Sequence, residues 1–341
     1  MTEPIADPAL THIRDTPPPS RGGRRLPGSG LLQMTAGLQR ATLIGGLVLV
    51  ALFVLIAVFA NLLAPYGFSQ QSENGHAFPS LAGPSGDHLF GTTVGQLDVL
   101  SRVLFGARTA LFVIVLALLF SIIVGVALGL VSGYVGGWVD RVLVLFMDAM
   151  YGFPSLLLAI VVSASLGAHL KGGFGGILSA AISITVVFVP QYFRLVRNAT
   201  VSVKTEPFVD AARVTGASAT RIMRKHIFVN VTSTLPVIVT LNCSEAILTL
   251  AGLGFLGLGI EPTAASEWGY DLNRALPDVT NGIWWTSVFP GVSIVLVVLG
   301  LTMVGESINE VTNPLLRTRR GGRRTGSTSA NPAPTGGEEQ R

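Results

Sequence analysis

The sequence predicts an all-α integral membrane protein with six membrane-spanning helices, on three observations. Hydrophobic residues make up 49% of the 341 residues, while Asp, Glu, Lys and Arg together reach only 12%, about half the usual share in a soluble domain. The apolar residues come in charge-free runs long enough to cross a hydrocarbon core about 30 Å thick, for which about 20 residues suffice. The cations collect at both ends of the chain and in one connection, and this bias sets a sidedness. A formal charge of +4 says little beside where those cations fall, and a nucleic-acid partner is not expected. Cys243 is the one cysteine, so neither an intrachain disulfide nor a cysteine-rich metal site is available.

The spans follow in order. No charge falls between Arg40 and Glu73, which sets a first span at 41–64. An extracytoplasmic loop over 65–108 leads to a second span near 109–133, in the charge-free stretch between Arg108 and Asp140. A third span near 142–167 holds Asp148 as its only ion, and a fourth near 174–193 is bounded by Lys171 and Arg194. The stretch 227–260 holds only Glu245 and 279–305 holds no charge, giving the fifth and sixth. Residues 109–315 thus form a five-helix core.

Orientation follows from the excess of Lys and Arg in cytoplasmic segments. Arg14, Arg21, Arg24, Arg25 and Arg40 precede the first span, and Arg317, Arg319, Arg320, Arg323 and Arg324 follow the last. The segment 194–226 has seven cations against Glu206 and Asp210, whereas 261–278 carries Glu261, Glu267, Asp271 and Asp278 against Arg274 alone. Both termini and 194–226 are therefore expected in the cytoplasm of a multi-pass cell-membrane protein, and the acidic loop outside. Trp268, Trp284, Trp285 and Tyr66 fall where outer aromatic anchors would. The tails 1–40 and 316–341, rich in Pro, Gly and Arg, cannot bury a core and are expected to be disordered.

Two glycine patterns bear on function. Gly252, Gly254 and Gly257 spell G-x-G-x-x-G, but inside an apolar span rather than between a strand and a helix, so they read as helix packing and not as a dinucleotide site. Gly125, Gly129 and Gly133 give two small-xxx-small steps, a helix contact face. Neither Lys171, Lys204 nor Lys225 follows a glycine-rich phosphate loop, so the chain has no ATPase site of its own. No residue is a catalytic candidate, and no His or Cys cluster offers a metal site.

The segment 194–226 is too polar to span and reads as two short helices. Thr205 is expected to cap the first, with Glu206 and Pro207 in its opening turn. Phe208, Ala211, Ala212 and Thr215 share one face at i, i+3, i+4 and i+7, with Asp210 and Arg213 elsewhere. Gly216 suits the left-handed turn that ends this helix, and Ser218 can cap the next. The product is an elbow with a small apolar face, fit either for a groove on a cytosolic partner or for anionic headgroups.

These residues resemble a known family. Phe208-Val-Asp-Ala-Ala-Arg-Val-Thr-Gly-Ala-Ser218, ending in His226-Ile-Phe-Val-Asn230, is similar to the EAA loop of binding-protein-dependent ABC importers of the dipeptide, oligopeptide and nickel group. Phe90-Gly-Thr-Thr, Asp98-Val-Leu-Ser-Arg102, Gly106-Ala-Arg108, Asp148 to Pro154, Glu245 to Gly259, Pro262, Trp268-Gly269 and Phe289 to Pro314 agree, in chain order over about 41–315. The resemblance implies a six-helix permease subunit for peptide import. It would pair with a paralogous permease, two ATPase subunits or a fused one, and an extracytoplasmic solute-binding protein. ATP and Mg would be bound by those ATPases and no cofactor by this chain. Carried over by position, Phe208, Asp210, Ala211, Ala212, Arg213, Gly216 and Ala217 would form the coupling helix that grips the ATPase. Asp210 replaces the usual Glu, Val229 the usual Pro, and the usual acidic, glycine and basic residues are missing around Thr93, Gln96 and Leu97.

Asp148 and Glu245 are ions within spans, where a charge costs at least about 2.5 kcal/mol on insertion scales, so each needs a partner, a proton or water. They line the transport pathway or hold helices together. The alternative function is an ion-coupled secondary transporter in which these two acids carry protons.

Overall fold

The computed structural model describes residues 38–312 except 168, 171–172 and 233–234. Most of both expected disordered tails, the five C-terminal arginines and Lys171 lie outside the described residues.

Helices dominate the described residues. In order the helices are α1 (Leu38–Val58), α2 (Ala60–Leu63), α3 (Val99–Val135), α4 (Gly137–Tyr151), α5 (Ser155–Gly167), α6 (Gly173–Val203), α7 (Pro207–Val214), α8 (Ala219–Ile222), α9 (Phe228–Val231), α10 (Leu235–Phe255), α11 (Trp268–Thr280) and α12 (Trp285–Thr312). A two-residue hairpin, β1 (Ser72–Glu73) with β2 (His76–Ala77), sits between α2 and α3. Among the described residues five helices are long and apolar enough to cross a bilayer. A sixth crossing is supplied by α4 and α5 together, which meet at 97°. The break falls at Gly152-Phe153-Pro154, because proline lacks an amide and pushes the residue before it out of the helical region. The expected six spans are thus present, the third of them bent.

Several expected boundaries are corrected. The second span starts at Val99 rather than near 109, so 99–108 is helix and not part of the loop 65–108. Asp98 caps it by accepting from the Ser101 amide at 2.8 Å. Arg102 does not interrupt it, because its charge is neutralised in the interior by Asp271. The fourth span runs on to Val203, ten residues beyond 193, so Arg194 and Arg197 belong to a helix and not to the connecting segment. The sixth starts at Trp285 and reaches Thr312. The acidic stretch 261–278 is no solvated loop: most of it is α11, and Glu267, Asp271 and Asp278 are buried.

Packing is built on α3 against α6. Gly125, Gly129 and Gly133 lie on the α6 backbone. A Cβ on Gly125 would come within 2.6 Å of Tyr192 Cβ, one on Gly129 within 2.8 Å of the Phe193 carbonyl, and one on Gly133 within 2.7 Å of Thr200 Cβ. The expected contact face is therefore real, and close approach of this kind is how membrane helices associate where lipid removes the hydrophobic drive. The second glycine pattern is packing in part: a Cβ on Gly252 would meet Leu156 and one on Gly254 would strike the Glu267 carboxylate, whereas Gly257 lies past the helix end in open space with φ of +74°.

Successive spans run antiparallel. Gln39 at the start of α1 therefore meets Glu310 at the end of α12, and Lys204 after α6 donates to the Tyr134 carbonyl near the end of α3 at 2.7 Å. One end of the bundle thus holds the helix termini and α7–α9, and the other holds 64–98 and α11. At that second end Trp268 is 2% exposed. Its ring abuts Gly106 and its Nε1 donates to the Val103 carbonyl at 3.1 Å. Trp285 donates to the Thr92 carbonyl and Tyr66 packs on Phe78. Trp268 is core rather than a lipid anchor; Trp284 is half-exposed.

Candidate functional site: the elbow and the membrane ion pairs

The elbow begins where α6 stops. Glu206 precedes α7 without a side-chain cap, and Pro207 opens the helix where a missing amide costs nothing. Thr205 does not cap it, because its hydroxyl donates instead to the Ser202 carbonyl at 2.8 Å. Gly216 ends the helix with φ of +80°, a conformation that glycine adopts without penalty. The Ala217 amide then closes on the Ala212 carbonyl, and the Ser218 side chain accepts from the Arg221 amide as expected. From Ala219 the chain stays helical through a wider turn at Met223–Ile227 and on to Val231.

Two faces of α7 have different tasks. Val209 and Ala212 are buried and join the main apolar core with Ile222, Ile227 and Val231. Phe208, Ala211 and Thr215 stay exposed and, with Ala212, Gly216, Ala217, Arg221, Lys225 and His226, line an open groove of about 530 Å³. Asp210 and Arg213 point elsewhere and pair with each other at 3.0 Å. Of the residues expected in the coupling helix, Phe208, Ala211, Ala212, Gly216 and Ala217 line the groove while Asp210 and Arg213 do not; Val209, which anchors the elbow, was missed. Its signal was the i, i+3 spacing to Ala212, masked by the longer apolar series that starts at Phe208. Ala212 faces inward, so the outward contact surface rests on Phe208, Ala211, Thr215 and Gly216.

Where α6 approaches the elbow, polar contacts tie it to α4 and α3. Arg197 grips Asp140 with two donors, Nε at 2.5 Å and Nη2 at 2.6 Å, and Ser132 on α3 donates to the same carboxylate at 2.5 Å. Arg194 donates to Asp148 at 2.8 Å, and its guanidinium lies 4.4 Å over the Tyr151 ring. The partner that Asp148 needs is therefore Arg194. Glu245 is half-buried on α10 and has no side-chain ion pair or hydrogen bond among the described residues.

At the opposite end, Glu267 is 3% exposed and caps α11, accepting from the amides of Gly269 at 2.8 Å and Tyr270 at 2.7 Å. Burial pushes its carboxyl up to about 8 against the pull of those two donors. Arg102 and Asp271 form a buried pair at 2.6 Å, and Arg102 also donates to the Phe68 carbonyl. Among the described residues no three His, Cys, Asp or Glu side chains converge as a metal site.

Residues 125–318, which hold the elbow and every contact just described except those at Arg102, match the family described as binding-protein-dependent transport system inner membrane component. The chain belongs to that family. Residues 40–84 of this permease also match the N-terminal transmembrane domain of oligopeptide transport permease C. It is 40% identical over 274 residues to the dipeptide transport system permease protein of Escherichia coli (strain K12), covering 80% of this chain and 88% of the relative. The dipeptide transport system permease protein of Alkalihalophilus pseudofirmus is 36% identical over 272 residues, 80% of this chain and 85% of the relative. The glutathione transport system permease protein of Salmonella typhimurium (strain LT2) is 38% identical over 280 residues, 82% and 88%. The permease is thus a multi-pass membrane protein of a binding-protein-dependent transport system, and the ion-coupled alternative built on Asp148 and Glu245 is set aside.

Proposed function

We propose that this permease forms half of the translocation pathway of an ATP-driven importer of short peptides and is worked by a separate ATPase through its elbow. The observation that carries the reading is the groove of Phe208, Ala211, Thr215 and Gly216, presented on a helix whose other face is fixed in the core. Small side chains allow a partner's backbone to approach, and Phe208 supplies an anchor. Relatives named for dipeptide and glutathione transport support peptides as cargo. The cation excess of 204–226 and of both tails supports a cytoplasmic elbow and cytoplasmic termini. The remaining partners are a paralogous permease, an extracytoplasmic binding protein and the bilayer, with ATP and Mg held by the ATPases.

Coupling needs one element that both sites bias. Closure of the ATPases would move α7, and Val209 would carry that motion into the core. Because Arg197 ties α4 to α6 with two donors on Asp140, α4 would travel with α6, and the bend at Gly152–Pro154 would absorb the difference.

The test is Gly216→Arg in the complete transporter reconstituted in vesicles. An arginine there is strained at φ of +80° and projects into the groove. The variant should insert and co-purify with the second permease while peptide uptake per ATP hydrolysed falls at least roughly tenfold, a coupling loss of about 1.4 kcal/mol. Unchanged uptake would remove the elbow from the mechanism.

A further inference from the structure

Away from the elbow, one polar surface lies where membrane helices are normally apolar. Gln191, Arg194 and Asn198 stand at i, i+3 and i+7 on α6 and so share one face. With Leu195, Tyr151 and Ile238 they line an open groove of about 360 Å³. Arg194 and Asp148 are 47% and 55% exposed at their side chains. Half-exposed charges of both signs on spanning helices do not face hydrocarbon; they mark a protein contact or a substrate path.

The donor chemistry decides what the stripe suits. Arg194 uses only Nη2, on Asp148, while Tyr151 beneath the guanidinium fixes its plane. The other donors of the fork have no partner among the described residues. Asn198 accepts from Arg197 through Oδ1 at 3.3 Å, which leaves its amide hydrogens outward. Gln191 has no side-chain partner among the described residues. A guanidinium flanked by two carboxamides is a surface for a carboxylate followed by peptide groups, since the planar fork matches carboxylate geometry and each carboxamide both donates and accepts. From Gln191 to Asn198 the helix rises about 10 Å, the reach of about three extended residues. An exposed ion pair is held only weakly, so an incoming carboxylate can replace Asp148 on Arg194.

We propose that Gln191, Arg194 and Asn198 form a subsite on the pathway wall that takes the C-terminal carboxylate of the passing peptide on Arg194 and frees Asp148 to meet a cationic group. This rests on the peptide-import reading and names the residues with which this chain would handle the cargo.

The test introduces Gln191→Cys or Asn198→Cys in a Cys243→Ser background, assembles the complete transporter in vesicles, and labels it with an anionic or a cationic methanethiosulfonate. The anionic reagent should react several-fold faster, because it can displace Asp148 from Arg194 and pair with the guanidinium as the peptide carboxylate would. Ala-Ala should slow that labelling more than the same dipeptide with an amidated C-terminus, and Arg194→Gln, which leaves Asp148 unpaired, should reverse the first difference and erase the second. Equal rates for the two reagents, or equal protection by acid and amide, would overturn the proposal. So would labelling that appears only when the paralogous permease is left out, because the stripe would then be a subunit contact. ATP-driven uptake of Ala-Ala by the unmodified complex is measured alongside. Its absence would sink the cargo reading, whereas uptake without the labelling pattern would sink the subsite alone.

Discussion

Arg102 offers the sharpest test of how the end of the bundle around α11 is held, because a buried ion pair behaves differently when it is broken than when it is replaced. Its guanidinium is 2% exposed, and the Asp271 carboxylate beside it is 9% exposed. Arg102→Met keeps much of the side-chain volume but leaves Asp271 charged, buried and without its cation. Breaking a buried pair from one side costs about 3–5 kcal/mol, whereas replacing both charges with apolar groups is often close to neutral. Asp271→Leu should cost about as much as Arg102→Met. The double variant should be more stable than either, short of wild type by about 1 kcal/mol for the Phe68 carbonyl that loses its donor. The read-out is thermal unfolding in detergent at one scan rate, followed by tryptophan fluorescence, since Trp268 packs one turn away on Gly106. At roughly 2 °C per kcal/mol, suited to a chain of this size, each single variant should unfold about 6–10 °C early. A double variant no more stable than the worse single would show that the pair does not hold α11 on α3, and the reasoning would fail.

Glu267 should make stability fall as pH rises. Its folded value of about 8 lies above its ordinary 4.5, so the folded state binds the extra proton between those values and loses about 1.4 kcal/mol per pH unit across that window, and a pH series of unfolding temperatures that is flat from 5 to 8 would count against this. Gly129→Ala, whose Cβ would sit 2.8 Å from the Phe193 carbonyl, should cost about 1–3 kcal/mol by overpacking, read as an unfolding temperature several degrees lower. Asp140→Asn should leave peptide binding by the extracytoplasmic partner intact while lowering uptake per ATP, because Arg197 loses its bidentate grip on α4; an unchanged uptake-to-ATP ratio would detach that pair from coupling.

What the sequence showed and what it hid divide along one physical line. Lipid exposure demands long apolar runs, so all six crossings were legible as stretches with no charge or a single acid, and the small residues at 125, 129 and 133 announced the α3–α6 contact. The same rule failed wherever a charge on a spanning helix has a partner elsewhere in the protein. Arg102 looked like loop because its partner Asp271 lies 169 residues away, and Arg194 looked like the cytoplasmic boundary because its partner Asp148 lies 46 residues away. Spacing carries no trace of such pairings. By contrast, α11 had a local signature that the acidic composition concealed: Glu267 at the cap position, then Asp271, Arg274, Ala275 and Asp278 at i, i+3, i+4 and i+7. Four acids in a short stretch imply solvent only if they are unpaired, and here a cap, a cation and burial claim three of them. At the elbow, Gly216 and Ser218 fixed the turn between α7 and α8, yet the apolar series from Phe208 masked Val209 as an anchor. An eight-residue helix offers two short apolar faces, and only the rest of the fold decides which one turns inward.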